Sequence, residues 1–125
     1  MSKLKVSMKS KLQSEGDTTG YLVQVTQEAP MIIEGNEYDS YKFVFKTKEG
    51  NSVSKRLPVD VTEGSLFMYF LEVLEVEVVE DESGEAELDF EASKKKDIGI
   101  RVAHTKGKAI IFANVDTIFP IKTNA

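Results

Sequence analysis

Residues 62–76 read TEGSLFMYFLEVLEV, and no other stretch of the chain carries a comparable helical signature. Leu66, Tyr69, Phe70, Val73 and Leu74 recur at the spacing that gathers side chains on one face of a helix, with Ser65 in the N-cap position. Glu72 and Glu75 mark the opposite face, while Phe67, Met68 and Leu71 widen the apolar stripe. A helix this short and this apolar is expected to be buried on most sides, as a plug against the end or face of a sheet.

The flanking sequence reads as strands. Tyr38 to Lys48 has the cleanest alternation, with Tyr41, Phe43 and Phe45 on one face and Tyr38, Lys42, Val44, Lys46 and Lys48 on the other. Tyr21 to Ile33 precedes it, with Pro30 expected at a bulge or an edge, and Gly35-Asn36 joins the two. Glu49-Gly50-Asn51 turns the chain into Ser52 to Val59, where Val53 and Leu57 face inward, Ser54 and Arg56 face outward, and Pro58 ends the ladder. Ser14 to Gly20, SEGDTTG, reads as a turn by composition. Residues 3–12, KLKVSMKSKL, alternate Leu4, Val6 and Met8 against Lys3, Lys5, Lys9 and Lys11, which suggests a further strand, although Leu4, Met8 and Leu12 also share a helical face.

After the helix, residues 76–91 form an acidic insertion. Val76 and Val78, then Ala86, Leu88 and Phe90, alternate with carboxylates on both sides of a turn at residues 81–84. This pattern predicts a hairpin whose glutamates repel one another, so its apolar side must dock on the rest of the domain. Ile98 to His104 is a half-buried strand, Thr105-Lys106-Gly107-Lys108 a hairpin turn with two cations at its tip, and Ala109 to Phe119 a strand apolar on both faces, as a central or covered strand would be. The whole is one domain of 125 residues with its core over residues 19–120. The order of a three-strand meander, one helix and a closing strand pair is that of a five-stranded OB barrel, an all-β fold with its helix between the third and fourth strands.

Several chemistries are disfavoured by the inventory. There is no cysteine and a single histidine, His104, so cysteine zinc sites, thiolate nucleophiles and paired-histidine acid/base sites are absent. No nucleophile elbow, P-loop or dinucleotide glycine pattern occurs. His104 shares parity with Ile98, Ile100 and Val102, which reads as a packed or rim position. The acidic run does not place oxygen ligands at every second position before Gly84, as a calcium loop would. A non-catalytic protein with no metal and no cofactor is expected. No apolar run is long enough to span a membrane, and the first residues lack the apolar core of a signal peptide, so a cytoplasmic location is expected.

The net charge of -5 is unevenly distributed. Residues 1–62 hold nine Lys/Arg and eight Asp/Glu, residues 63–93 hold none and eleven, and residues 94–125 hold seven and two. Because binding responds to local potential, two segments stay free to present a basic surface. The face with Tyr38, Lys42, Lys46 and Lys48 on one strand and Ser54 and Arg56 on the next, with Lys55 reaching in from the edge, can follow a phosphate backbone and offer a ring to a base. A merely solvated sheet surface carries the same pattern.

The phrases YKFVFKTKEGNSVSKRLPV, SLFMYFLEVL and KKDIGIRVAHTKGKAIIFANVDTIFP resemble the small OB-fold single-stranded DNA-binding proteins of phages infecting Gram-positive bacteria, over residues 20–120. The resemblance implies sequence-tolerant binding of single-stranded DNA in phage-type replication or recombination, in a host cytoplasm, by a homo-oligomer that meets replication or recombination proteins. It points to Lys42, Lys46, Lys48, Lys55 and Arg56 on the sheet and to Arg101, Lys106 and Lys108 on the last hairpin. The chain ends IKTNA where many such proteins carry an acidic tail. The alternative is a non-catalytic protein-interaction module that works through the acidic hairpin of the same barrel. For subunit contacts, Phe67, Leu71, Ile110 and Phe112 are the expected residues.

Overall fold

The computed structural model describes residues 12–108 and 110–121. Five antiparallel strands form one sheet in the order β3-β2-β1-β6-β7, comprising β1 (Gly16–Ile33), β2 (Asn36–Thr47), β3 (Ser52–Pro58), β6 (Ile98–Lys106) and β7 (Ile111–Phe119). Between β3 and β6 come the helix α1 (Leu66–Val73), a separate two-stranded ribbon of β4 (Glu77–Glu80) and β5 (Ala86–Asp89), and a 3-10 turn at Ala92–Lys95. The fold is therefore all-β with one helix, as expected. The strand expected over residues 3–12 falls, except for Leu12, outside the described residues.

β1 organises the sheet because its two halves pair with different neighbours. Gly16 to Gly20 pair with β6, and Gly20 onward with β2, so Gly20 alone faces both Thr47 and Ile98. A Cβ at Gly20 would lie 2.3 Å from the Lys46 carbonyl oxygen, which is why the strand can bend between two partners only with glycine there. This corrects the turn expected over residues 14–20. The composition is turn-like, but Gly16 to Gly20 are strand because they pair with β6, and only residues 14–15 lie outside a strand. Farther along, the register shifts between Glu28 and Met31, a bulge at Ala29-Pro30 where the proline can donate nothing to a ladder.

The inner face carries Leu22, Phe43, Phe45, Val53, Leu57, Ile98, Ile100, Val102, Val115 and Ile118, all buried. α1 closes this core. Phe70 meets Phe43 edge-on at 5.5 Å between ring centroids and Phe45 at 6.4 Å, geometries worth about 0.5–1.5 kcal/mol per pair beyond burial. Ser65 caps the helix by accepting from the Met68 N–H at 3.2 Å, a contact worth about 1 kcal/mol. The helix stops earlier than its apolar pattern. Glu75 adopts φ 52°, and the Glu75 and Val76 N–H groups donate back to the Glu72 and Leu71 carbonyls, which closes the last turn. Phe67 and Leu71 are buried within the chain, so they are not available to a subunit contact.

Two further expectations change. The ladder is not closed, because β3 and β7 are the two ends of the sheet order although they run close to each other. Lys55 stands between Val53 and Leu57 at inward parity on β3, and an inward charge on an edge strand opposes ladder formation with a neighbour. β7 is consequently an edge strand, and its apolar start at Ile111 and Phe112 is exposed on a projecting hairpin instead of being covered.

Candidate nucleic-acid interface

The registers of β1, β2 and β3 set out the outer face in rows. Tyr21, Lys46 and Ser52 form one row, Gln24, Val44 and Ser54 the next, then Thr26, Lys42 and Arg56. Lys42 and Arg56 are thus direct cross-strand neighbours, an arrangement that repels unless something draws one charge away. The bulge in β1 does so. Arg56 donates through Nε to Ser40 Oγ at 3.0 Å and through Nη2 to the carbonyls of Ala29 and, at 3.5 Å, Pro30. Ser40, fully buried on this outer face, donates in turn to the Ala29 carbonyl at 2.7 Å. Arg56 therefore ties β3 to the bulged carbonyls of β1 and is not a freely moving cation.

The unclosed seam between β3 and β7 is a cleft of about 540 Å³. One wall carries Lys42, Ser54, Lys55 and Arg56 and the other Thr105, Asn114 and Asp116. Asn114 Nδ2 donates to Thr105 Oγ1 at 2.9 Å across the β6–β7 pair. Asp116 is the extra residue of a bulge, since Arg101 pairs with Thr117 and Val102 with Val115. Glu28 also lines the cleft, so three cations face two carboxylates there. Among the described residues, Lys42 and Lys55 make neither an ion pair nor a side-chain hydrogen bond, which leaves both ammonium groups free for an anion.

The remaining predicted residues lie away from the cleft in three groups. Lys46 and Lys48 continue along β2 to its turn, and Tyr38 lies at the other end of β2, half-buried and paired with Met31. Lys106 and Lys108 stand at the tip of the β6–β7 hairpin, as the sequence suggests. Arg101 sits apart from both and pairs with Asp17, Nε to Oδ1 at 3.0 Å. Hydrogen bonding and the charge of that carboxylate raise its pKa, with Asp116 adding to the effect. Two rings that the sequence pattern does not assign to this face also lie on it: Phe112, 49% exposed on the outer parity of the same hairpin, and Tyr21 beside Lys46.

His104 has a structural task. Its Nε2 donates to the Gln13 carbonyl at 2.7 Å, and its backbone N–H donates to Glu15 at 3.1 Å. Gln13 Oε1 accepts from Thr47 Oγ1 and Asn51 Nδ2, each at 2.8 Å. Gln13 and Glu15 are thereby fastened to β6 and to the β2–β3 turn, where Thr18 Oγ1 also donates to Glu49. No cluster of three or more possible metal ligands occurs among the described residues. No helix among them is long and apolar enough to cross a membrane. Compared with known proteins, the chain matches no family model and no curated protein.

Proposed function

We propose that this protein is a non-catalytic single-stranded DNA-binding protein of the OB type, acting in phage-type replication or recombination. The observation that carries the reading is the open β3–β7 cleft, where two unpaired lysines, Lys42 and Lys55, stand beside Arg56. The arrangement of strands supports it: a bent first strand is shared by two neighbours, a helix follows the third strand of the meander, and a hairpin completes the sheet. Phosphates would lie along Lys42, Lys55, Lys46 and Lys48, with Lys106 and Lys108 reaching from the hairpin tip. Phe112 offers an exposed ring for base stacking, a contact that tolerates any base. Glu28 and Asp116 line the same cleft and lower its positive potential, so phosphate would gather at the Lys42 and Lys55 ammonium groups.

The test is the fluorescence anisotropy of a labelled oligo-dT titrated with protein. Binding is expected at about 50 mM salt and should weaken steeply as salt rises, because phosphate contacts release counterions. Duplex DNA should compete poorly, since its base faces are hidden. Absence of any response at micromolar protein refutes the reading.

A further inference from the structure

Away from the cleft, two surfaces of opposite charge each carry exposed apolar residues. On the first, α1 and the β4–β5 ribbon border a groove of about 650 Å³ whose walls include Tyr41, Val61, Met68, Val78, Leu88 and Phe90. A second hollow against α1 continues it and shares Val61, Met68 and Val78. Val61 is 74% exposed and Val78 50% exposed, so the apolar floor is open. Glu80 and Glu87 line the first hollow, Glu63 and Glu72 the second, and among the described residues no lysine or arginine lines either. Such a groove selects an apolar occupant that brings cations.

The second surface is the tip of the β6–β7 hairpin. Its ladder ends at Lys106 and Ile111, and the Gly107 N–H donates to the Ile110 carbonyl at 2.8 Å to close the turn. Ile110 is 58% exposed and Ile111 50% exposed, and both border a hollow with Lys106 and Lys108. From Ile98 to Val115 the chain holds no aspartate or glutamate. We propose that the hairpin tip of one copy seats in the acidic groove of a second copy, with Ile110 and Ile111 on the apolar floor and Lys106 and Lys108 against Glu80 and Glu87. Tip against tip would bring lysines together, and groove against groove would bring carboxylates together. Of the three pairings, only tip into groove is attractive in both charge and apolar contact. The tip does not fill the groove of its own copy: none of residues 106–108 and 110–112 lines it, and the β6–β7 ladder holds the hairpin at its base. Every copy offers both surfaces, so the contact builds either a reciprocal dimer or a head-to-tail chain. Lys106 and Lys108 are also proposed above to reach phosphate, so a single strand would compete for them; the contact stands without that reading and is tested with no DNA present.

The experiment uses four full-length proteins in sedimentation velocity: the natural chain and the variants Lys106→Glu/Lys108→Glu, Glu80→Lys/Glu87→Lys and Ile110→Ser/Ile111→Ser. All six side chains are exposed, so each variant should melt as the natural chain does. The natural chain should self-associate with concentration and dissociate with salt. Each variant alone should associate at least about tenfold more weakly, the charge variants because like charges then face each other. Mixing the two charge variants should restore a complex, since the lysine tip of the second meets the natural acidic groove of the first. A natural chain that stays monomeric at about 100 µM in low salt overturns the proposal. So does any folded variant that associates as the natural chain does, or a mixture of the charge variants that forms no complex.

Discussion

The cations of the cleft are of two kinds, and a pair of substitutions separates them. Lys42 and Lys55 line the cleft without a partner among the described residues, so Lys42→Glu/Lys55→Glu removes two phosphate contacts and leaves the packing intact. For a single strand each contact contributes a salt slope of about 0.7, and at 0.1 M salt that amounts to 0.7RT ln 10, or about 1 kcal/mol. Two contacts give about 2 kcal/mol, roughly a 25-fold loss of affinity, with the salt slope reduced by about 1.4. Charge reversal adds repulsion, so the 25-fold figure is a floor. Arg56→Lys is the complement. It keeps the charge but cannot reach Ser40 and the Ala29 and Pro30 carbonyls together, so it should cost about 1 kcal/mol of stability while changing affinity less than about threefold. Anisotropy of labelled oligo-dT over a salt series, beside thermal melts of each variant, reads both quantities. A lysine double variant with the natural affinity and slope refutes the placement of phosphate in the cleft.

Phe112→Ala should lower single-strand affinity by about 1–3 kcal/mol, the usual loss of one stacked base, and leave the melting temperature unchanged because the ring is half exposed; unchanged affinity removes Phe112 from the interface. Glu75→Gly should stabilise the protein by about 0.5–1 kcal/mol in a urea titration, since φ 52° strains any residue with a Cβ and the exposed pair with Lys96 returns little. The Glu49 carboxyl is held below the ordinary glutamate range, first by the Thr18 hydroxyl. A pKa depressed by folding adds stability that is complete above the unfolded value and is lost as pH falls through the folded one, so Thr18→Val should flatten the acid limb of a melting profile taken from about pH 6 to pH 3.

What was legible in the sequence was whatever periodicity alone decides. The Ser65 cap and the alternation of Tyr41, Phe43 and Phe45 against Lys42 and Lys46 appear where the pattern puts them, whereas the buried face of α1 is turned: Leu66 and Tyr69 are exposed, and Phe67, Phe70, Leu71 and Leu74 form the row against the core. The parity of Lys55, shared with Val53 and Leu57 and opposite to Ser54 and Arg56, is legible too, because parity on a strand does not depend on its neighbours. Hidden features are those that need a distant partner. Gly16 to Gly20 has no apolar alternation and becomes a strand only because β6 lies alongside it. Arg101 looked like a free cation, yet Asp17, 84 residues away in sequence, pairs with it. The end of α1 carried no glycine to mark it, since Glu75 occupies the left-handed position where glycine is usual.

One strand keeps the two charged surfaces apart. Tyr41 lines the acidic groove and Lys42, the next residue, lines the basic cleft, so the pleat of β2 is the partition between them. At 0.1 M salt the Debye length is about 10 Å, comparable to the thickness of a sheet with its side chains, which lets a chain of net charge -5 present a usable cation pair on one side. That separation depends wholly on register, because a shift of one residue would turn Lys42 and Lys46 inward and Tyr41 and Phe43 outward. β1 is where such a shift is easiest, as it already breaks register at Leu22/Gln24 and at Glu28/Met31. At the second break Arg56 and Ser40 both bond to the Ala29 carbonyl, locking β1, β2 and β3 to one another across the bulge. On the proposed reading the role of Arg56 would therefore be mainly positional: it fixes the register that puts Lys42 in the cleft, and the lysines would supply the contacts.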